Sequence, residues 1–268
     1  MENVVEIFGQ ILGVSLVRYF LIAGVPFILF YYLLSDKLQK FKIQDRIAKK
    51  KDFVREIIHS SQTTVVFTVI AFAILYTPLK NYTLVYNNIN DYPGWWITAG
   101  TLLSLIVHDT YFYWMHRLLH HRKIYRHAHV VHHKSTNPSP WASYSFHYLE
   151  AIAEGFILVI IVLIMPLHPL SIVLFTVSGF VINVYGHLGY EIAPKAFRKS
   201  FLFEILNTST HHNLHHSRFN GNYGLYFRFW DRMMGTENPD YVKEFDRVQQ
   251  KRENNSKEIP AKARQRAA

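Results

Sequence analysis

Two copies of one histidine spacing constrain this chain more than any other feature of its sequence. The pattern His-x-x-His-His occurs at 129–133 and again at 212–216, and a further pair stands at His116 and His120. Residues at i, i+3 and i+4 share one face of an α-helix, so each copy would place three imidazoles side by side. Imidazole is the commonest protein ligand for metal ions. The repeated spacing therefore predicts helices whose histidines converge on metal.

Long apolar segments separate and flank these histidines. Crossing a bilayer takes about 20 mostly apolar residues in one helix, and half of this chain is apolar. Residues 3–17 either extend the first segment or lie along the membrane, with Arg18 reaching to the interface. We predict an all-α fold: a polytopic membrane helical bundle of about four to five hydrophobic segments, with a cytoplasmic helical cap that carries the histidines. The candidate segments are residues 19–34, 63–79, 95–114, 152–167 and 170–185.

Basic residues are concentrated just after the first apolar segment. A net charge of +10 could indicate nucleic acid binding, but the long apolar runs favour a positive-inside membrane protein without a nucleic acid partner. If this basic loop is cytoplasmic, threading the apolar segments brings all three histidine motifs to the cytoplasmic face. We therefore expect an integral, multi-pass membrane protein in that orientation. The basic residues are Lys37, Lys40, Lys42, Arg46, Lys49, Lys50, Lys51 and Arg55.

Composition divides the chain into three parts. Residues 1–94 hold the first membrane segments and the basic loop, residues 95–242 hold the histidine motifs, and residues 243–268 form a polar tail that we expect to be mobile. We expect no cleavable signal peptide, because Glu2 and Glu6 stand where a basic region would be. The absence of cysteine excludes disulfides, thiolate zinc sites and cysteine-ligated clusters.

Three further residues are candidates for the site. His187 ends the last apolar segment, where the predicted topology brings the other histidines, and is expected to be a ninth ligand. Glu191 follows it by four residues and is a ligand, a hydrogen-bond acceptor for one, or a solvated carboxylate at a helix end. Asp109 precedes His116 by seven residues on the same helical face, where its carboxylate would accept the other N–H of a ligand imidazole. Asp109 and Glu191 are thus the candidate catalytic residues. The predicted metal ligands are His116, His120, His129, His132, His133, His187, His212, His215 and His216.

Other polar residues near these motifs carry weaker signals. His147, Glu150 and Glu154 form a polar stripe that either borders the site or faces lipid head groups. Turn-forming residues at 137–140 and 220–222 are expected to end the helices of the two longer motifs, and Thr208, Ser209 or Thr210 to cap the last one. The histidines expected to lie off the ligand faces are His108, His121, His127, His147 and His211.

The segments H-R-L-L-H (116–120), H-V-V-H-H (129–133) and H-N-L-H-H (212–216) resemble the three histidine boxes of the fatty acid hydroxylase/sterol desaturase superfamily. D-T-Y-F-Y-W at 109–114 and N-Y-G at 222–224 add to the resemblance, which covers roughly residues 100–236. It implies two iron ions held by the histidines, which use dioxygen to hydroxylate or desaturate a lipid from the bilayer. Ligand type alone would leave iron, zinc, copper and nickel open.

Such a reaction needs electrons from outside the chain. The sequence has no G-x-G-x-x-G, haem or cysteine-cluster motif, so we expect an external reductase or a cytochrome b5-like or ferredoxin-like electron-donor protein. The alternative function is a polytopic zinc-binding or metal-transport membrane protein without redox chemistry. Transport would place the ligands at the bilayer midplane on discontinuous helices, whereas these boxes flank the apolar segments among Arg and Lys.

Overall fold

Helices form the architecture of this chain, as the sequence predicts. The computed structural model describes residues 3–46 and 48–265, and within them there is no β-strand. Two isolated bridges pair Lys42 with Tyr190 and Leu206 with Phe227. In chain order the α-helices are α1 (Val4–Ile28), α2 (Ser35–Leu38), α3 (Lys50–Tyr76), α4 (Trp95–Leu119), α5 (Tyr125–Ala128), α6 (Val130–His133), α7 (Tyr148–Ile164), α8 (Pro169–Gly186), α9 (Phe201–Ile205), α10 (Ser209–Arg218), α11 (Phe229–Met233) and α12 (Tyr241–Gln265).

Three of these helices are long and apolar enough to cross a membrane. They are Val4–Leu33, which is α1 with its π-helical end, Lys50–Tyr76 and Pro169–Gly186. They contain most of the first, second and fifth predicted segments, so the all-α membrane fold is confirmed. The third and fourth segments form α4 and the 17-residue α7, and their crossing stays a prediction. Helix α1 continues unbroken through Arg18, which favours the extended form of the first segment.

Helices α3 and α7 approach each other closely at a glycine. A Cβ atom on Gly155 of α7 would lie 2.5 Å from Cδ1 of Ile70 and 3.1 Å from Cδ1 of Phe67, both on α3. Small residues let apolar helices pack backbone to backbone, which is how helices associate where water is absent. Beside this contact, Ile74 and Ile161 belong to a buried cluster that also includes residues of α8. Gly155 thus allows the close distance between α3 and α7.

The segment after the second histidine box is held by α1 and α3. Residues 140–144 form a 3-10 helix, and the indole of Trp141 packs with Tyr19 and Phe27 of α1. The carbonyl oxygen of Trp141 accepts hydrogen bonds from the Tyr19 hydroxyl (3.1 Å) and the Ser60 hydroxyl (2.8 Å). These two hydrogen bonds hold the segment that follows the second box against the apolar bundle.

The helix ends around the boxes follow the predicted signals. Helix α6 ends at His133, before the proline-rich turn, and α10 ends at Arg218, where Phe219 takes a left-handed conformation with φ 62°. Thr208 is the N-cap of α10, and its hydroxyl accepts the backbone N–H of His211. The apolar hairpin between α7 and α8 turns at residues 165–168, with His168 capping α8.

The polar tail begins as a packed helix. Residues 241–265 form α12, whose first turns pack against α9 and α10, so the start of the expected mobile tail is held in place, and the mobility of the rest stays a prediction. Tyr241, Phe245 and Val248 are fully buried. Their spacing of four and then three residues makes one apolar stripe along the helix, which the overall polar composition of the segment concealed. The three-part division of the chain itself stays a prediction.

The glycine contact generates a stability prediction. Gly155→Leu should lower the unfolding free energy by about 1–3 kcal/mol, because the added side chain must displace Ile70 and Phe67. Thermal unfolding in detergent, followed by circular dichroism, measures the change. The matched control is Gly13→Leu on α1, where no described atom lies within 4 Å of a new Cβ. Equal unfolding midpoints for the two variants would contradict the close α3–α7 contact.

Candidate metal centre

All nine histidines predicted as ligands come together in the structure, and they form two groups. Within each group, one nitrogen of every ring lies within 4.8 Å of the corresponding nitrogen of the others. All of these side chains are buried except that of His120, which is partly exposed. The five-histidine group consists of His116, His120, His129, His133 and His215. The four-histidine group consists of His132, His187, His212 and His216.

The second and third boxes are divided crosswise between the groups. His129 and His133 belong to the five-histidine group and His132 to the four-histidine group, whereas His212 and His216 join the latter and His215 the former. In both boxes the i and i+4 residues therefore belong to the same histidine group, and the i+3 residue belongs to the other group. On a helix, i and i+4 differ by about 40° and i+3 and i+4 by about 100°. Adjacent histidines can therefore face two different sites.

Local structure keeps the second box in this register despite its short helices. His129 lies between α5 and α6 with helical dihedral angles, and the backbone N–H of His133 donates to its carbonyl oxygen at 3.3 Å. His120 is likewise the C-cap of α4 and keeps the i to i+4 relation with His116, bonded backbone to backbone at 3.1 Å. The helical spacing thus extends one residue beyond the helices themselves.

The Nε2 atoms of neighbouring rings are in direct contact. In the four-histidine group, His187 Nε2 lies 3.0 Å from that of His212 and 3.2 Å from that of His216, and the last two are 3.1 Å apart. In the five-histidine group, His116 and His129 are 3.0 Å apart at Nε2. Two nitrogens bound about 2.05 Å from one ion would be about 2.9 Å apart at a right angle and about 3.3 Å apart at a tetrahedral angle. The observed spacing fits nitrogens that share an ion.

Hydrogen bonds at the outer nitrogens fix the tautomer of four rings. Each of these four Nδ1 atoms faces an oxygen that accepts its proton, which leaves the Nε2 lone pair directed inward. The contacts are His116 Nδ1 to Tyr223 O (2.9 Å), His129 Nδ1 to Glu150 Oε1 (2.7 Å), His187 Nδ1 to Asn183 O (2.9 Å) and His215 Nδ1 to Gly221 O (2.7 Å).

Burial also keeps these rings uncharged. Burial, reinforced by the neighbouring imidazoles, lowers the pKa of His132, His133 and His216 well below the usual histidine value. A ring that stays neutral at physiological pH offers a lone pair to a metal ion, whereas a protonated ring has none. The two groups are therefore electrostatically prepared for cations.

Glu150 takes the role that the sequence analysis assigned to Asp109. Its side chain is buried, and it bonds His129 from the first turn of α7. The sequence placed Glu150 only in a polar stripe that either bordered the site or faced lipid. The available signal was a carboxylate at the start of an otherwise apolar helix, since an ionisable residue at such a position is costly and usually functional.

The assignment of Asp109 as an acceptor for a ligand imidazole is wrong. Its Oδ1 accepts the backbone N–H groups of Tyr226 (2.7 Å) and Phe227 (3.2 Å). Seven residues separate Asp109 from His116, which is about 10.5 Å along a helix, so the two share a face without sharing a contact. A nearer oxygen, the carbonyl of Tyr223, accepts the His116 Nδ1 proton. Asp109 thus anchors the loop that supplies this carbonyl.

Asp231 anchors the same loop from its other side. Its carboxylate accepts the backbone N–H groups of Tyr223 (2.8 Å) and Gly224 (2.7 Å) and the hydroxyl of Thr236 (2.7 Å). The indole of Trp230 donates to Thr110 on α4 at 3.1 Å. Asp231 and Trp230 thus have a structural role at this loop.

Glu191 is buried but contacts no ligand histidine. Its carboxylate accepts the Tyr185 hydroxyl (3.1 Å) and the backbone N–H groups of Ala193 (3.0 Å) and Thr210 (3.0 Å). The expected helical face does not exist, because α8 ends at Gly186 and Gly189 has φ 75°. Neither the ligand role nor the solvated role therefore describes it. The carboxylate instead stabilises the N-terminus of α10, which carries the third box.

The weaker histidine candidates lie outside both groups, as expected. His108 bonds the Tyr226 hydroxyl through Nδ1 at 2.9 Å, and His147 caps α7 by accepting the Leu149 N–H at 3.3 Å. His211 is buried beside the ring of Tyr241, while the other two are exposed. The exposed pair is His121 and His127.

A cavity of about 450 Å³ lies within the bundle next to this centre. Residues of α1, α3, α7 and α8 form its walls, and most of them are apolar. Phe146, Glu154 and Asn183 line both this cavity and a smaller space beside His132 and His187. The phenyl ring of Phe146 lies 5.1 Å from the His132 ring, centroid to centroid. We call these three shared residues, which lie between the cavity and the four-histidine group, the neck.

Comparisons with known proteins agree with this geometry. The family model for fatty acid hydroxylases matches residues 101–236, just over half of the 268-residue chain. Lathosterol oxidase of Rattus norvegicus is 32% identical over 189 residues, covering 70% of this chain and 62% of the relative. Delta(7)-sterol 5(6)-desaturase ERG3A of Gibberella zeae is 30% identical over 223 residues, covering 81% and 62%.

The human lathosterol oxidase is 27% identical over 242 residues, covering 87% of this chain and 78% of the relative. The chain thus spans about three fifths of the length of the rat and fungal relatives that it matches. No solved structure matches it significantly. The matched region contains all three histidine boxes and the loop that Asp109 and Asp231 anchor. The chain belongs to the fatty acid hydroxylase family, within the fatty acid hydroxylase/sterol desaturase superfamily.

Proposed function

We propose that this protein is a membrane-bound oxygenase that uses two iron ions, dioxygen and externally supplied electrons to hydroxylate or desaturate a C–H bond of a lipid. The observation that carries the proposal is the gathering of nine imidazoles into a five-histidine and a four-histidine group, beside a largely apolar cavity that ends at the neck residues. Family membership supports the same chemistry, and the relatives named above are sterol desaturases or oxidases.

The donor set supports a pair of ions, one for each group. Bound iron would supply the redox chemistry that activates dioxygen and breaks an unactivated C–H bond. The protein's own contribution is to keep the rings neutral and correctly oriented. In four of the nine rings, Glu150 and the carbonyl oxygens of Asn183, Gly221 and Tyr223 accept the outer proton, so that the inner nitrogen is free to coordinate. Asp109 and Glu191 act indirectly, by fixing the 222–228 loop and the start of α10.

Ligand number argues against the zinc alternative. A catalytic zinc site has three protein ligands and one open position, and a structural site has four. Five histidines in one group exceed both patterns, and the second group lies immediately beside the first. The ligands also sit at the ends of the apolar helices and not at their midpoints, where a transport site would be expected.

The cavity supports a lipid substrate. It extends from the neck at Phe146 and Asn183 to residues near the middle of α1, such as Val14. Its volume of about 450 Å³ lies in the range of ligand pockets. An apolar molecule could thus enter from the bilayer and reach the histidines without crossing water. The apolar walls of this path would also keep water away from bound metal ions.

Contacts of the basic loop support a cytoplasmic position for the boxes. Gln44 donates to the carbonyl oxygen of Thr136 at 2.9 Å, Arg46 bonds the hydroxyl of the same residue, and Arg55 donates to Ser135 at 3.3 Å. Both acceptors directly follow the second box. The loop and the boxes therefore lie at one end of the bundle, which the positive-inside rule assigns to the cytoplasm.

Electrons would come from a separate donor protein, cytochrome b5-like or ferredoxin-like, or from a reductase. Exposed Arg122, Lys123 and Arg126 lie between the first and second boxes. This positive surface suits an acidic carrier, because complementary charge steers the encounter of two proteins.

The first prediction concerns metal content. His132→Ala and His215→Ala each remove one ligand, from the four-histidine and the five-histidine group respectively, and each should abolish turnover while the helical content is unchanged. The purified protein should contain two irons per chain, and each variant fewer. Elemental analysis by mass spectrometry and an activity assay measure both properties. The control is His121→Ala, an exposed histidine next to the first box. Zinc without iron in active protein, or turnover in both ligand variants, would refute the proposal.

The second prediction concerns Glu150. Glu150→Gln should keep the fold but weaken metal binding or turnover by about 10- to 100-fold, since the His129 ring loses the carboxylate that orients it. Competition with a chelator measures the affinity. The matched control is Glu56→Gln, a buried carboxylate that bonds the Ser139 hydroxyl at 2.5 Å and no histidine. Equal metal retention in the two variants would remove the role assigned to Glu150.

The third prediction identifies the reaction. Expression in a host that lacks the activity should produce a lipid with one additional oxygen atom, if the reaction is hydroxylation, or with two hydrogen atoms fewer, if it is desaturation. Comparative lipid mass spectrometry against a host that expresses the His132→Ala, His215→Ala double variant isolates the enzymatic change. Identical lipid profiles, with an electron donor present and the protein loaded with iron, would contradict an oxygenase acting on host lipids.

A further inference from the structure

A single arginine lies in the wall of the apolar cavity. Arg18 is in the middle of α1, the most N-terminal of the three helices long and apolar enough to span a membrane, and its side chain lines the cavity. A charged residue at such a depth is energetically costly and usually marks a functional position. Gln10 and Ser15 of the same helix also line the cavity, so α1 presents a polar stripe to an otherwise largely apolar space.

The guanidinium group of Arg18 has few partners within the protein. Nη1 donates to the hydroxyl of Thr176 on α8 at 3.0 Å, and Nε is buried without a hydrogen-bond partner. Among the described residues no carboxylate oxygen lies within 4.0 Å of it, since none of their salt bridges includes Arg18. A guanidinium carries five N–H donors in a planar fork. Apart from the bond to Thr176 and the buried Nε, the Nη donors form no other hydrogen bond within the described residues and are left for a molecule in the cavity.

The other polar side chains of this part of the cavity mainly face one another, although His108 Nε2 is buried without a hydrogen-bond partner. The hydroxyl of Tyr226 bonds His108 Nδ1 at 2.9 Å, and His108 Nε2 lies 3.6 Å from the carboxylate of Glu154. Tyr226 also approaches α8 so closely that a Cβ on Gly179 would lie 2.4 Å from its hydroxyl oxygen. These three side chains interact with one another, whereas Arg18 is left with unused donors.

Helix α8 relates Arg18 to the metal centre. Thr176, Gly179 and Asn183 follow one another on its cavity face, and His187 directly follows its last residue. Eleven residues separate Thr176 from His187, which is about 16 Å along the helix axis. An extended hydrocarbon of roughly 14 carbons has this length, because each C–C bond of about 1.5 Å advances a staggered chain by about 1.25 Å. A molecule held at Arg18 could thus reach the metal-binding histidines only if it is elongated.

We propose that Arg18 binds the oxygen-bearing end of an elongated lipid, whose apolar body runs along α8 to the neck at Phe146 and Asn183. The role of this site in catalysis rests on the proposed function, whereas the binding of a lipid at Arg18 does not. The shared chemistry of the ligand is a hydrogen-bond-accepting oxygen at one end of an apolar molecule. A fatty carboxylate and a sterol hydroxyl are its two possible sources. The reacting carbon then lies far from the bound oxygen, near the opposite end of the molecule.

Equilibrium binding without turnover tests this site. The full chain, purified in detergent and given no reductant or electron donor, is titrated with radiolabelled oleate, cholesterol and octadecane. Arg18→Met should weaken binding of oleate, cholesterol or both by about tenfold or more, the effect of losing hydrogen bonds to a charged group. Binding of octadecane, which has no oxygen, should not change. Arg18→Lys should restore part of the lost affinity.

Thr176→Val separates ligand binding from a structural role. This substitution removes the hydrogen bond between α1 and α8 but leaves the guanidinium in place. It should therefore keep the affinity for the oxygen-bearing lipid within about twofold of the unsubstituted protein, a change below about 0.5 kcal/mol. A loss equal to that of Arg18→Met would show that Arg18 merely ties the two helices together. Unchanged oleate and cholesterol binding in Arg18→Met, with normal thermal unfolding, would overturn the proposal as well.

The binding result and the metal result are independent. A selective loss for oleate identifies a carboxylate at Arg18, and a selective loss for cholesterol identifies a hydroxyl, so either supports the site. If the histidine variants kept their turnover while Arg18→Met lost affinity, the oxygenase proposal would fail and the lipid site would stand. If the histidine variants lost turnover while Arg18→Met kept its affinity, the oxygenase proposal would stand and the lipid site would be rejected.

Discussion

The arrangement of the inner imidazole nitrogens is the constraint on which the rest of the structure depends. Nitrogen atoms about 3 Å apart repel one another through their lone pairs unless a proton or a cation lies between them. In the four-histidine group, the Nε2 atoms of His187, His212 and His216 are all mutually within 3.2 Å. One proton satisfies only one pair of such a triangle, and burial disfavours charging the rings. A metal ion satisfies all three nitrogens at once.

The surrounding elements can be understood as supports for this arrangement. Two buried aspartates, Asp109 and Asp231, bind backbone N–H groups of the 222–228 loop, and that loop offers the Tyr223 carbonyl to a ring of the five-histidine group. Glu191 steadies the start of α10, and Trp141 fixes the exit of the second box between α1 and α3. Much of the polar chemistry in the buried cap therefore serves to position imidazoles, and the apolar bundle provides the rigid base and the cavity.

The sequence predicted what depends on local geometry and on composition. The helical class, the apolar segments, the ends of the box helices and the membership of eight histidines in the centre follow from patterns that are visible along the chain. The ninth, His187, follows from the predicted topology. The division into five and four does not, since it depends on which helix faces which. Glu150 was missed for the same reason, because no spacing relates it to His129, 21 residues earlier. Asp109 and Glu191 were misjudged because a shared helical face implies neither contact nor a helix that continues.

The crosswise division of the boxes also limits how far the two histidine groups can move relative to each other. His132 and His133 are consecutive, as are His215 and His216, yet the members of each pair face different groups. Consecutive Cα atoms are only about 3.8 Å apart across a rigid peptide unit. Two peptide units thus link the five-histidine group covalently to the four-histidine group. Thermal motion of the bundle therefore moves the two groups together. The separation between the five-histidine and four-histidine groups is consequently set by backbone geometry and depends little on the softer packing of the membrane helices.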